Sequence, residues 1–234
     1  MSGAAPDRAM ILAAGFGTRM GALSRDTPKP LLKVAGRALL DRAIDRCAEV
    51  GVDRVVVNTH YLSERIKSHL EGVISVKIDI SDETEILETG GGVAAALPLL
   101  GDAPFYTLNA DAVWAMDAPL DTLRRAWRDE NMDALLLLCP IESARAYTRP
   151  GDFFIDPDGR PRRRDDAPRA PYVYTGAQII SPRAFDDAPG GAYSLNVIWN
   201  RLAARGRLFA CVQSGAWVDV GTPEGLALAS ELVG

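Results

Sequence analysis

The chain has 234 residues, 47% of them hydrophobic and 24% charged, and a formal net charge of −5. That is globular composition with enough apolar material for a sizeable core; the acidic balance disfavours a nucleic-acid-binding surface but leaves room for a local basic pocket. No stretch approaches the ~20 apolar residues of a membrane span, and the apolar run at the start of the chain is too short for a secretory signal, so the expected location is the cytoplasm, with no membrane partner.

Residues 8–14 (RAMILAA) read as a short buried strand, followed by the glycine-rich loop GFGTRMG. The spacing of Leu40, Ile44, Cys47 and Ala48 predicts a helix over 39–50, stopped by Gly51. Residues 54–58 (RVVVN) are a continuous apolar strand of the kind covered on both faces. A short amphipathic helix over 62–70, a strand over 76–80, a small-residue helix over 91–100 and a strand over 105–108 follow, the last running into Asn109–Asp111. This alternation predicts an α/β fold with a mainly parallel sheet and helices on both faces. In such sheets ligands bind at the carboxyl ends of strands; both glycine-rich loops and Asp111 fall there.

The second half is less regular. A helix over 120–131, a buried strand over 134–139 and a hairpin starting at 153–155 and turning at Asp158-Gly159 are expected. Residues 160–171, rich in Arg, Asp and Pro, read as a loop. Then come a strand over 172–181, a helix over 196–205 and strands over 208–213 and 217–220. A last helix has Thr222 as its N-cap and Pro223 at its first position. Cys47, Cys139 and Cys211 are scattered, fit neither a disulfide framework nor zinc spacing, and read as buried thiols.

The stretch LAAGFGTRMGALSRDTPKP (12–30) carries the chemistry. Gly15, Gly17 and Gly21 follow a strand, where glycine lets backbone N–H groups approach an anion. Arg19 lies in the loop, and Lys29 sits between two prolines that stiffen its backbone. Two cations near amide donors are what a triphosphate requires. The loop is neither a dinucleotide fingerprint, since the third glycine comes one place late, nor a P-loop, since no Gly-Lys-Ser/Thr occurs.

L-x-A-G-x-G-T-R-M…T-P-K-P-L-L-x-V-A-G-R resembles the signature of the sugar-1-phosphate nucleotidylyltransferases, and the likeness continues to the last helix. The resemblance implies a Rossmann-like fold in one domain, 1–234, with 8–111 serving the nucleotide and 112–234 the sugar. It implies that Gly17, Thr18 and Arg19 cradle phosphates beside Ala13, Ala14 and Gly15, that Lys29 reaches the NTP, and that Arg19 and Lys29 are the catalytic cations. Gly21-Ala22-Leu23-Ser24 departs from the family's usual Arg-Pro-Leu-Thr.

An aspartate after a strand is ordinarily a turn or cap residue, and Asp111 and Asp219 are too far apart in sequence for spacing to join them. By resemblance, the N-x-D element and the late W-x-D-x-G-T element supply the pair that holds Mg²⁺. Asp117, Glu83 and Glu85 are competing carboxylates without a matching motif.

Residues 81–92 (SDETEILETGGG) put three glycines at a helix start, where a ligand can come close. By family position this loop reads base and ribose, through Glu83, Thr89, Gly90 and Gly91. The wording L-E-T-G-G-G, Gly151-Asp152-Phe153 and Asp165-Asp166-Ala167-Pro168 before Tyr174-Thr175-Gly176 resembles the N-acetylmuramate-1-phosphate uridylyltransferase branch, associated with cell-wall recycling. The Glu-Lys-Pro element of other members, whose Lys meets the sugar phosphate, is missing. That branch implies UTP and a sugar 1-phosphate as substrates, with Asn109, Asp152 and Gly176 at the sugar. GTP with mannose 1-phosphate, CTP with a phosphorylated alcohol, and a silent nucleotide-sugar-binding regulator are the rivals. A muramate sugar carries a lactyl carboxylate, for which Arg162, Arg163 and Arg164 are the nearest supply of cations, unless Asp165 and Asp166 neutralise them on a solvated loop. His60 and His69 carry no catalytic pattern, and Trp217 reads as packing.

Overall fold

The computed structural model describes residues 5–116 and 118–234. In chain order, β1 (Arg8–Leu12) leads through the glycine-rich loop to a small hairpin, β2 (Lys33–Val34) and β3 (Arg37–Ala38), and then to α1 (Leu39–Glu49), β4 (Arg54–Thr59), α2 (Ser63–Leu70), β5 (Lys77–Asp82), α3 (Glu88–Leu100) and β6 (Phe105–Asn109). The chain continues through β7 (Ala112–Ala115), α4 (Pro119–Ala126), β8 (Ala134–Pro140), β9 (Ala144–Arg145), β10 (Phe153–Ile155), β11 (Pro161–Arg163) and β12 (Tyr172–Ile180). It ends with α5 (Leu195–Ala204), β13 (Leu208–Val212), β14 (Ala216–Asp219) and α6 (Pro223–Val233).

Ala9, Met10 and Ile11 are all fully buried, so β1 is apolar on both faces and belongs inside a covered sheet. It pairs in parallel with β4 on one edge and β6 on the other, and β5 extends the β4 side, also in parallel. β12 joins β6 antiparallel and pairs on its other side with β8, which carries β13 in parallel; the β10–β11 ribbon hangs on the start of β12. The chain leaves β1 toward β4 and β5 and returns on the opposite side as β6. The strand order therefore reverses at β1, the point at which open α/β sheets bind ligands.

Alternate side chains of β1 sort to opposite faces. Ala9 and Ile11 pack under α1, α2 and α4 through Leu40, Ile44, Ile66, Leu70, Leu120 and Leu123. Met10 packs under α3 and α5 through Val93, Ala96, Leu100, Leu195 and Ile198. Helices thus cover both faces, as the alternating pattern requires. The long β12 is sewn to its neighbours by a buried relay in which Trp199 Nε1 donates to Gln178 Oε1 and Gln178 Nε2 donates to Thr107 Oγ1.

A second sheet of β7, β14 and β9 stands beside the first. β7 follows Asp111 directly, and its antiparallel register sets Trp114 opposite Trp217 and Ala112 opposite Asp219. Trp217 is 4% exposed and packs in the core, as read from the sequence. α6 is capped by Thr222, whose hydroxyl accepts from the Gly225 N–H.

Several boundaries differ from the sequence reading. The helix expected over 120–131 ends at Ala126, because Trp127 turns extended and drives its ring into the core. β11 is the second arm of the hairpin expected from 153–155 and the Asp158-Gly159 turn, and it occupies the first part of the segment 160–171 that reads as a loop. β2, β3, β7 and β9 were not anticipated; each has four residues or fewer. Among the described residues no helix is long and apolar enough to cross a membrane. The three cysteines are free, and burial pushes the Cys139 and Cys211 thiols up to about 12.

The three glycines of 90–92 lie inside α3, all buried. A Cβ on Gly90 would stand 2.5 Å from the Tyr193 ring, and one on Gly91 would stand 2.3 Å from the Gly191 carbonyl. The close approach that the glycine run was expected to offer a ligand is made here by the chain's own 191–193 segment, whose Tyr193 carbonyl accepts from both the Gly90 and Gly91 N–H groups. Gly90→Ala should therefore destabilise. The helix-propensity gain of about 1 kcal/mol is smaller than an overpacking cost of about 1–3 kcal/mol. The urea midpoint should fall with an unchanged slope; a raised midpoint would show that Tyr193 has room to yield.

Candidate active site

The register places Leu12 opposite both Asn58 and Asn109, so three strand ends meet at one level. Beyond them opens a cavity of about 320 Å³ lined by Ala13, Ala14, Gly15, Gly17, Thr18, Arg19, Lys29, Glu83 and Thr89, together with Asn109 and Asp111. Nine of the eleven residues expected at the nucleotide thus line one space. Gly90 and Gly91 do not; they pack behind it, for the reason given above.

The floor of this cavity is braced by Asn58, which sequence reading passed over. Its Oδ1 accepts from the Ala13 N–H at 2.7 Å, and its Nδ2 donates to Glu83 Oε1 at 2.6 Å. Glu83 Oε2 accepts from the Leu87 N–H at 3.0 Å. One amide and one carboxylate, 3% and 7% exposed, thereby tie the start of the glycine loop to the entry of α3. Both Glu83 oxygens are engaged in this brace. Glu85 is exposed and outside the cavity lining, and Asp117 lies outside the described residues. His60 accompanies the brace, its Nδ1 2.8 Å from the Glu83 carbonyl, while His69 faces Asp41.

The charged groups gather at the mouth. Gly17 takes a positive φ of 63°, and a Cβ there would stand 2.9 Å from Lys29 Cβ, so the loop can fold over the lysine only with glycine at this position. Lys29 Nζ donates to Asp111 Oδ2 at 2.5 Å. Asp219 arrives beside Asp111 because β14 pairs with β7, and the Val220 N–H donates to the Asp111 carbonyl at 3.0 Å. Burial pushes the Asp219 carboxyl above the usual carboxylate range and the charge of Asp111 adds to this, against the opposing pull of Lys29, Arg19 and Arg149. Arg19 lies flat on Gly221, where a Cβ would stand 2.9 Å from its NH1. Gly221, in the motif W-x-D-x-G-T, is thus a further residue of the site, there to admit the guanidinium. Two neighbouring, partly buried carboxylates are a hard-oxygen donor set that suits a small divalent cation. Among the described residues no group of three or more His, Cys, Asp or Glu is so disposed.

A second cavity, of about 580 Å³, opens from the first and shares Arg19, Thr89, Asn109 and Asp111 with it. Asp219 and Asp152 line it. Asp152 is fixed by the Tyr147 hydroxyl, which donates to Oδ1 at 2.8 Å, and by the Tyr174 N–H, which donates to Oδ2 at 3.1 Å. Gly176 stands behind this wall at the irregularity in β12, its missing Cβ leaving space 3.0 Å from Asn109 Cβ. Of the three consecutive arginines, Arg163 and Arg164 line the cavity, whereas Arg162 lies over the Phe154 ring and does not.

Residues 9–147 match the family model described as a MobA-like NTP transferase domain. The chain is 41% identical to the N-acetylmuramate alpha-1-phosphate uridylyltransferase of Caulobacter vibrioides over 94% of each chain. It is 33% identical to the enzyme of that name from Neisseria meningitidis serogroup B, over 97% of this chain and 98% of the relative. Among solved structures, HddC from Yersinia pseudotuberculosis, complexed with GMP-PN, superposes with a TM-score of 0.76 over 96% of this chain and 98% of that one, at 23% identity. That likeness shows a shared α/β fold.

Removing the brace tests how the cavity is held. Asn58→Ala leaves the Ala13 N–H and Glu83 Oε1 without their partners, at about 1–3 kcal/mol for each unmet buried group. Stability should fall by that order, and the KM for the nucleotide should rise more than kcat falls. An unchanged melting curve and KM would mean that the loop holds its shape without Asn58.

Proposed function

This chain belongs to the MobA-like NTP transferase family and is a sugar-1-phosphate nucleotidyltransferase, and on that premise we propose that it transfers UMP from UTP to N-acetylmuramate α-1-phosphate, with Mg²⁺, as in cell-wall recycling. The observation that carries the reading is the junction of the two cavities. Arg19, Thr89, Asn109 and Asp111 belong to both, so a nucleotide in the smaller space and a sugar phosphate in the larger would have their phosphates side by side. The name of the two relatives at 41% and 33% identity supports the choice of sugar and base.

A phosphate oxygen of the sugar 1-phosphate attacks the α-phosphorus of UTP in line; the new P–O bond forms as the bond to the β-phosphate oxygen breaks, and pyrophosphate leaves. The nucleophile is already anionic, so no general base and no covalent enzyme intermediate are needed. What the chain supplies is position and charge. Arg19 and Lys29 bring positive charge to the phosphate chain, and the N–H groups of the glycine loop add donors. Asn58 and Glu83 hold the loop start still. Asp111 and Asp219 are the residues that would hold Mg²⁺, whose charge, when it is bound, offsets the repulsion between the two phosphates. Residues 8–111 serve the nucleotide and 112–234 the sugar, with Arg19 and Thr89 reaching across. Asn109 and Asp152 offer an amide and a carboxylate to sugar hydroxyls and an N-acetyl group.

The deciding experiment is a pyrophosphate-release matrix of four NTPs against several sugar 1-phosphates. UTP with N-acetylmuramate 1-phosphate should give the highest kcat/KM. A maximum at GTP with mannose 1-phosphate, or no turnover of any pair, would overturn the reading. Asp111→Ala and Asp219→Ala should each lower kcat/KM by roughly 10²–10⁴-fold at saturating Mg²⁺ while the fold survives, since neither change opens a core cavity. Near wild-type turnover in either variant would remove it from the metal pair. Lys29→Ala should depress the use of UTP and of any weaker NTP in similar proportion, because it removes charge from the phosphate chain and leaves the base contacts alone. A change confined to base preference would make Lys29 a base reader.

A further inference from the structure

Arg163 is a half-buried cation without a carboxylate partner among the described residues. It lies on β11 opposite Phe153 in the antiparallel ribbon, and side chains alternate faces along a strand. Arg163 therefore turns to the cavity face while Arg162, opposite Phe154, turns away. Its Nε donates to Asn200 Oδ1 and its NH2 to Asn196 Oδ1, both at 2.8 Å. These two asparagines stand one turn apart on α5, so they orient the guanidinium plane without cancelling its charge. The guanidinium also lies over the Phe153 and Trp199 rings, at 5.3 and 5.7 Å from their centroids. Trp199 is in turn fixed by the buried relay through Gln178 to Thr107. Burial holds the Arg163 guanidinium below its ordinary range despite the opposing charges of Asp152 and Asp165.

So an arginine has been locked in place by neutral groups on the wall of the larger cavity, with NH1 outside these hydrogen bonds. Asp152 and Asp165 are near enough to act on this charge but neither is hydrogen-bonded to it, so a half-buried guanidinium whose hydrogen-bond partners are neutral can still take an anion. The anion is not the transferred phosphate. The cations that act on Asp219, at the junction of the cavities, are Lys29, Arg19 and Arg149, whereas Arg163 answers to Asp152 and Asp165. Its neighbours Phe153, Asn196 and Trp199 line the larger cavity and not the smaller.

We propose that Arg163 binds a carboxylate carried by the sugar, and so selects an acid-bearing hexosamine phosphate over its neutral parent. The proposal rests on the uridylyl-transfer reading for its substrate and names the group that reads the lactyl carboxylate. Arg162→Ala, on the other face of the ribbon, is the control.

The test compares N-acetylmuramate 1-phosphate, its lactyl carboxamide and N-acetylglucosamine 1-phosphate as substrates of the wild-type, Arg163→Ala, Arg163→Gln and Arg162→Ala enzymes. The wild-type preference for the acid over both neutral sugars should fall roughly 10–100-fold in the Arg163 variants, chiefly through KM for the acid, and should persist in Arg162→Ala. Turnover of N-acetylglucosamine 1-phosphate serves as the internal measure of folding, and Arg163→Gln keeps bulk and polarity over the rings where Arg163→Ala opens a gap. Equal losses on all three sugars would make Arg163 a structural or phosphate-binding residue and overturn the proposal, as would an unchanged preference. If the wild-type enzyme turns over none of these sugars, the uridylyl-transfer reading fails by itself. Calorimetric titration with N-acetylmuramate 1-phosphate against N-acetylglucosamine 1-phosphate then decides: tighter binding of the acid that vanishes in Arg163→Gln upholds the carboxylate site, and equal binding of the two sugars refutes it.

Discussion

Parallel pairing along both edges of β1 forces Leu12 to lie between Asn58 and Asn109, and the rest of the site depends on that ladder. In a parallel sheet the strands end at one level, so their polar terminal residues must face one another at the rim. Here that rim is the point where strand order reverses. The amide of Asn58 then satisfies the first free N–H of the glycine loop and the carboxylate of Glu83 at once. A rigid sheet edge is in this way converted into a loop of fixed shape, which a glycine-rich segment could not keep by its own conformational preference.

The distribution of charge follows from the same frame. Lys29 and Arg19 come from the loop after β1; Asp111 comes from the end of β6; Asp219 comes from the second sheet. Brought together they form two cations and two carboxylates, a nearly neutral set before any ligand arrives. Each charge has a nearby opposite, which is how such groups can be held in a partly buried cleft at tolerable cost. The Lys29–Asp111 pair is one expression of this. On the proposed reading, the two cations would be free to meet phosphate oxygens and the two carboxylates to meet a divalent cation, which offsets part of the negative charge that the substrates bring.

What the sequence made legible was local. The strand–loop–cation pattern of 8–30 lies within a single segment, and nearly all of its named residues line one cavity. The alternation of strands and helices was legible for the same reason, since each element has its own period. Asn58 was hidden because a lone Asn at the end of an apolar strand looks like a turn residue; its importance comes from partners 25 and 45 positions away. The meeting of Asp111 with Asp219 depends on β7, four residues long, and on its pairing with β14, and no periodicity announces so short a strand. The glycines at 90–92 were legible as a place of close approach, but composition cannot say whether a ligand or Tyr193 makes the approach. The hairpin turning at Asp158-Gly159 was legible, but the density of Arg, Asp and Pro in 160–171 hid how far its second arm runs, and with it the alternation that separates Arg163 from Arg162.

The two halves of the cleft are built on different physical terms, and this bears on how such a scaffold can change its substrate. The smaller cavity is fixed by ladder hydrogen bonds and a buried amide–carboxylate brace, where a single substitution strands buried polar groups. The larger is assembled from a short ribbon, one helix face and side chains that meet across them: Asp152 held by Tyr147, Arg163 held by Asn196 and Asn200. Among the described residues β10 and β11 pair only with each other and with β12, away from β1, β4 and β6, whereas α5 also covers Met10 of β1. On the proposed reading, exposed substitutions on the ribbon can alter which groups face the sugar without loosening the strand ends around the smaller cavity. Recognition of the reacting phosphates would then be coupled more tightly to folding than recognition of the sugar's substituents, which falls to side chains of the ribbon and of the outer face of α5.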